Sequence, residues 1–158
     1  MHRAVYTFPT TLLALAVCGL CLALTPLWAA SPSCPPTRAD SLGPFYEPNA
    51  PERDSTGQGP VIAGVVRAGP DCRPLDQALI EWWSANTHGD YDAAHRAVQR
   101  TGPDGRYHYS TDFPGRYPGR PSHLHVRVTA PGYNALVTQV YPQAGQSSMD
   151  LDLVLRPH

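Results

Sequence analysis

The 158-residue chain has no lysine; its 12 basic residues are all arginine, against 13 acidic residues, for a net charge of −1. Without a basic surplus there is nothing to offset phosphate charge, which excludes a nucleic-acid partner. The absence of lysine has no functional account. Long apolar runs are missing too. The longest, residues 12–24 (LLALAVCGLCLAL), is short of the roughly 18 residues that a membrane anchor needs. Uninterrupted helix-forming sequence is scarce, because Pro (18) and Gly (13) weaken helix interiors wherever they fall. A long-helix architecture is thereby excluded. Disorder is excluded by what is present: 42% of residues are hydrophobic, with many β-branched and aromatic side chains able to fill a core. What remains is one compact, loop-rich, mostly β domain.

Residues 1–30 have the form of a signal peptide. Arg3 is the only charge before Arg38, the apolar run follows, and small residues close the segment at Ala29-Ala30. Cleavage is expected near Ala30, with export to the periplasm or outside the cell. An uncleaved anchor is the alternative. Leu15-Ala16-Val17-Cys18 comes near a lipoprotein signal, but Val17 is too large for the position before the cysteine. Cleavage removes Arg3, Cys18 and Cys21, leaving a net charge of −2 and two cysteines, Cys34 and Cys72. In an oxidising compartment these are expected to pair, tying the N-terminal arm to the turn Gly69-Pro70-Asp71-Cys72; two buried free thiols are the alternative.

The rest of the chain divides into an extended arm, residues 31–60, rich in Pro, Gly, Ser and Asp, and a domain over 61–158. In the domain, short apolar runs alternate with turn signals. Strands are expected over 61–67, 78–86, 106–111, 123–129, 136–141 and 151–155. Residues 91–99 (YDAAHRAVQ) are the one stretch read as a helical turn. Six to eight short strands with such turns predict an all-β sandwich.

One segment carries chemistry: PGRYPGRPSHLHVRV, residues 114–128. On a strand, side chains alternate between faces. Leu124, Val126 and Val128 then face the core, while His123, His125 and Arg127 face away from it. Two imidazoles on one face can share a metal ion. Tyr117 lies in a loop between Pro114-Gly115 and Pro118-Gly119, and Tyr91 follows the turn Thr87-His88-Gly89 after Trp82-Trp83. A free phenol has a pKa near ~10, but a highly charged cation holds it as phenolate. That hard anionic oxygen suits Fe(III).

With these residues the chain resembles the intradiol ring-cleavage dioxygenases, the family that includes protocatechuate 3,4-dioxygenase. The shared stretches are Gly43-Pro44-Phe45-Tyr46, Cys72-Arg73-Pro74-Leu75, Trp83-x7-Tyr91, Asp104-Gly105-Arg106-Tyr107, the Tyr117 to His125 motif with Arg120, and Thr138-Gln139-x-Tyr141. The resemblance implies one non-haem Fe(III) per chain, held by Tyr91, Tyr117, His123 and His125. It implies Arg120 and Gln139 on the substrate side, with Tyr117 as the ligand that leaves and takes a proton. The implied reaction cleaves a catechol-type ring between its hydroxyls with O2, giving a muconate-type diacid. The implied partners are therefore a small catechol-type molecule and O2, with no membrane contact by the mature protein. The oligomeric state is open. Ser41-Leu42 stands where the family usually has Thr-Glu, and the short stretch from Tyr91 to Tyr117 leaves trimmed substrate-facing loops.

Other readings compete. The turn and strand motifs also fit transthyretin-like or carboxypeptidase-regulatory sandwich modules, which bind no metal; the four-ligand set separates the two. His88 is a loop residue near Tyr91, and His108 a surface residue. Trp82 and Trp83 point to opposite faces. Tyr46 either reaches the site or anchors the arm by packing. Arg127 forms a structural salt bridge.

Overall fold

The computed structural model describes residues 33–116 and 118–158. The expected signal peptide, residues 1–30, lies outside the described residues, and so does Tyr117. Nine strands follow in chain order: β1 Ser55–Thr56, β2 Val61–Ala68, β3 Leu79–Ala85, β4 Tyr91–Arg100, β5 Arg106–Thr111, β6 Leu124–Thr129, β7 Leu136–Val140, β8 Ser148–Asp150 and β9 Leu153–Leu155. They form two sheets. One has the order β1-β5-β2-β8, with β9 also on β2; the other has the order β4-β3-β6-β7. Among the described residues no helix is long and apolar enough to cross a membrane.

The core lies between the sheets and is built by alternation. Ile62 and Val66 come from one sheet; Ile80, Trp82, Leu124, Val126 and Val128 come from the other, and all are fully buried. Each such side chain contributes on the order of 2 kcal/mol through the apolar surface it removes from water. Trp82 stacks on Tyr109 with ring centroids 4.6 Å apart and planes 5° apart. Within the first sheet, β2 and the segment joining β8 to β9 make close backbone contact. A Cβ on Gly64 would stand 1.9 Å from the Leu151 carbonyl oxygen, so only glycine fits there. The strand expected over 151–155 forms only over Leu153–Leu155, as β9, and Leu151-Asp152 separates it from β8. Asp152 fills the break, accepting from Val65 N–H at 2.9 Å and from Arg67 Nε at 2.6 Å.

The helical turn expected over 91–99 is not formed; these residues belong to the ten-residue strand β4. Alanine and arginine in YDAAHRAVQR favour helix weakly, but local preference yields to tertiary pairing. β4 pairs antiparallel with β3 along most of its length, with an irregularity between Trp83 and Ala85. Ala97 faces the core and is fully buried, opposite Trp82.

The arm starts against β9 of the first sheet and then crosses the outer face of the second, from β7 to β4. Thr37 N–H donates to Val154 O at 3.0 Å, Asp40 N–H to Val137 O at 2.9 Å, and Val98 N–H to Pro51 O at 3.0 Å. Arg96, only 5% exposed, donates to Phe45 O at 2.7 Å and to Glu47 at 3.0 Å. The arm begins at a disulfide between Cys34 and Cys72, with Cα atoms 5.2 Å apart. It includes β1, which pairs parallel with β5. A stretch without periodicity is therefore ordered by docking on a sheet face.

Candidate functional site

Strand register places the site. Arg96 on β4 pairs with Trp83 on β3, Trp83 with His125 on β6, and His125 with Gln139 on β7. These four form one row across the outer face, beneath the arm. His123, one residue before β6, points the same way. Both histidines are buried, at 5% and 2% exposure.

Their Nε2 atoms are 3.1 Å apart, and the Tyr91 hydroxyl stands 3.3 Å from His123 Nε2. His123 Nδ1 is 2.8 Å from the Pro121 carbonyl oxygen. A carbonyl can only accept, so Nδ1 carries a proton and Nε2 is the ring nitrogen turned to His125 and Tyr91. For His125, burial first and the neighbouring His123 second push the imidazole pKa down to about 4. The Ser41 backbone pulls the other way, yet no hydrogen bond of normal geometry reaches Nδ1. His125 is therefore neutral at physiological pH. Two imidazoles and a phenol thus meet at one cavity wall.

The cavity in front of them measures about 120 Å3. His123, His125, Tyr91, Arg120 and Gln139 line it, with Ser41, Gly43, Pro44 and Phe45 as its roof. A cavity of about 150 Å3 holds a benzene molecule, so the space is of the scale of one aromatic ring. Phe45 stacks on Tyr91 at 4.2 Å and 17°. Arg120 donates to Gln139 Oε1 at 2.5 Å and to the Tyr141 hydroxyl at 3.3 Å. Gln139 Nε2 donates to Ser41 O at 2.8 Å, which fixes its amide and aims Oε1 at the arginine. The Tyr141 hydroxyl is 2.8 Å from Gln139 Oε1 and 3.2 Å from Asp40 Oδ2. Burial and the Asp40 charge raise the Tyr141 pKa, so it stays a protonated donor. A backbone hydrogen bond from Ser41 holds the Asp40 carboxyl below its usual range, as does Tyr141.

Five of the six sequence-derived site residues thus meet at one cavity: Tyr91, Arg120, His123, His125 and Gln139. The sixth, Tyr117, lies outside the described residues. Tyr46 does not line the cavity; its hydroxyl donates to Glu81 at 2.8 Å, and Glu81 pairs with Arg127. His88 is exposed on its turn, and the exposed His108 faces Asp54 at 3.1 Å. His95 is held away from the cavity, between Asp92 at 2.7 Å and Asp112 at 3.4 Å. Sequence reasoning passed over Asp40 and Tyr141 as partners of Arg120 and Gln139, and the arm residues that roof the cavity. The Gly-Pro-Phe motif was the available signal for the roof.

Among the described residues no cluster of three or more His, Cys, Asp or Glu could hold a metal. Any metal held here takes tyrosine oxygen along with the two imidazoles.

No protein-family model matches the chain. It is 33% identical over 152 residues to a 6-chlorohydroxyquinol 1,2-dioxygenase of Cupriavidus pinatubonensis, a match covering 75% of this chain and 54% of that protein. It is 34% identical over 153 residues to a hydroxyquinol 1,2-dioxygenase of Nocardioides simplex, covering 75% and 51%. The chain spans about half the length of these curated relatives. Among solved structures, the dioxygenase domain of a dioxygenase–carbohydrate-binding protein fusion from Streptomyces sp. SirexAA-E superposes with a TM-score of 0.70 at 32% identity. That match covers 78% of this chain and 100% of the domain.

Proposed function

This chain belongs to the intradiol ring-cleavage dioxygenase family, and we propose that it is itself a non-haem Fe(III) enzyme cleaving a catechol-type ring between its two hydroxyl-bearing carbons. The observation that carries this reading is that His123 Nε2 stands 3.1 Å from His125 Nε2 and 3.3 Å from the Tyr91 hydroxyl at the base of a ring-sized cavity. The donor set fits ferric iron. Imidazole ligates a metal in its neutral form, and a phenol supplies an anionic oxygen once a cation lowers its pKa. Tyr91, His123 and His125 would hold the ion, with Tyr117 as fourth ligand by family resemblance. A metal-free sandwich module has no use for such a set.

Bound iron would supply a Lewis acid that takes up the catechol as its dianion and makes the ring reactive toward O2. The chain's own residues do the rest. Phe45 and Pro44 give the ring a wall, while the arm keeps water off one side. The Arg120 guanidinium, braced by Gln139 and Tyr141, places fixed positive charge where negative charge grows on the ring, which preorganises the site. Tyr117 as phenolate would accept one of the two catechol protons. The balance is one ring and one O2 in, one diacid out, with the bond between the two oxygenated carbons broken.

The names of the curated relatives make hydroxyquinol and its 6-chloro derivative the first substrates to try. Export is part of the proposal: residues 1–30 as signal peptide, 31–60 as arm, 61–158 as catalytic domain. It is supported by the short apolar run after Arg3 and by a cysteine pair that stays oxidised best outside the cytoplasm. The test is the visible spectrum of the iron-loaded protein. A red tyrosinate-to-Fe(III) band that shifts on anaerobic addition of hydroxyquinol is expected. A protein that stays colourless with ferric iron would overturn the reading.

A further inference from the structure

We propose that Trp83 is a positioning residue for the metal site: its indole and the backbone of Gly43 set the plane of the His125 imidazole. The inference rests on the reading of His125 as an iron ligand. A metal-bound histidine is normally oriented by a hydrogen bond from its second ring nitrogen. His123 follows that pattern through Pro121 O. His125 does not, since its Nδ1 is buried and no hydrogen bond of normal geometry reaches it from the described residues, the Ser41 backbone included. The ring torsion of histidine is intrinsically broad, so packing has to fix it.

That packing is specific. The Trp83 indole lies parallel to the His125 ring, with centroids 4.9 Å apart and planes 6° apart. Both residues are 2% exposed, and they are direct partners across β3 and β6. The arm closes the Cε1 edge. A Cβ on Gly43 would stand 2.8 Å from His125 Cε1 and 3.3 Å from Nε2, and the backbone there has φ +71°. Both facts require glycine. Trp83 is itself braced. Tyr46 packs edge-on against it at 5.2 Å and 64°, and the Tyr46 hydroxyl is tied to Glu81. Buried indoles usually find a partner for their N–H. Trp83 Nε1 has none among the described residues, so this indole is used for its face.

The experiment uses the full chain, with Trp83→Phe, Trp83→Leu and Gly43→Ala. Trp83→Phe keeps an aromatic face against His125, whereas Trp83→Leu keeps bulk without one. Both should lower the melting temperature of the metal-free protein by similar amounts. Only Trp83→Leu should weaken Fe(III) binding by more than about tenfold and move the charge-transfer band; Trp83→Phe should hold iron with the parent's band. Gly43→Ala, which leaves the indole in place, should weaken iron binding in the same way as Trp83→Leu and answers for it should the leucine variant fail to fold. Iron affinity that merely tracks melting temperature in the tryptophan variants would overturn the proposal, and so would a Gly43→Ala protein with the parent's affinity and band. Proton NMR of the metal-free protein separates this from failure of the iron reading. The His125 ring protons should be shifted upfield by the indole in the parent and in Trp83→Phe, but not in Trp83→Leu. Their absence from that upfield position in the parent would overturn the clamp whatever the metal does.

Discussion

Replacing His123 or His125 with alanine should strip the protein of iron and of colour together. Each imidazole supplies a nitrogen donor at the cavity base, and their Nε2 atoms stand 3.1 Å apart. Removing a direct ligand should exceed the roughly 10–100-fold that loss of an outer partner costs in metal affinity. The fold should survive, because the core is held by the opposite face of β6, where Leu124, Val126 and Val128 are fully buried. Metal analysis and absorbance after ferric loading check this, with metal-free melting as the control. Full iron occupancy in the double variant would remove both histidines from the ligand set.

Replacing Arg120 with methionine should leave iron and colour in place and lower kcat by about 10²–10³-fold, the usual effect of deleting one preorganised donor at a site of developing charge. Arg120 is not a ligand. It is a cation whose head is held by Gln139 and Tyr141, with the Asp40 carboxylate beyond. Arg120→Lys should restore only part of the rate, since an ammonium is a point charge and cannot reproduce a planar fork. Oxygen uptake at saturating substrate, normalised to bound iron, checks both variants. A methionine variant with the parent's kcat would show that the guanidinium contributes nothing to the reaction.

The histidine pair was legible in the sequence because alternation along HLHVRV leaves only one way to bury Leu124, Val126 and Val128, and that way puts both imidazoles on one face. Arg120 and Gln139 were legible only through family motifs, since no periodic pattern links residues nineteen positions apart. β4 was misread because its alanines and arginines carry no strand signature; its strand character comes from pairing with β3. The arm was illegible for a related reason. It has no element of its own over the site and is ordered by hydrogen bonds to Arg96, Val98 and Val137, which a linear reading cannot anticipate. Trp83 was half legible. Alternation separated it from Trp82, but its seat against His125 depends on the register between β3 and β6, a relation between distant segments.

Product analysis addresses the central claim that this chain cleaves a catechol-type ring between its hydroxyls. The iron-loaded protein is given hydroxyquinol or catechol and oxygen, and the product is identified by mass spectrometry alongside oxygen consumption. One O2 consumed per ring, with a ring-opened dicarboxylic acid as product, is the expected result. An aldehyde-acid from cleavage beside the hydroxyls, or no oxygen consumed by a protein that has bound its iron, would contradict it.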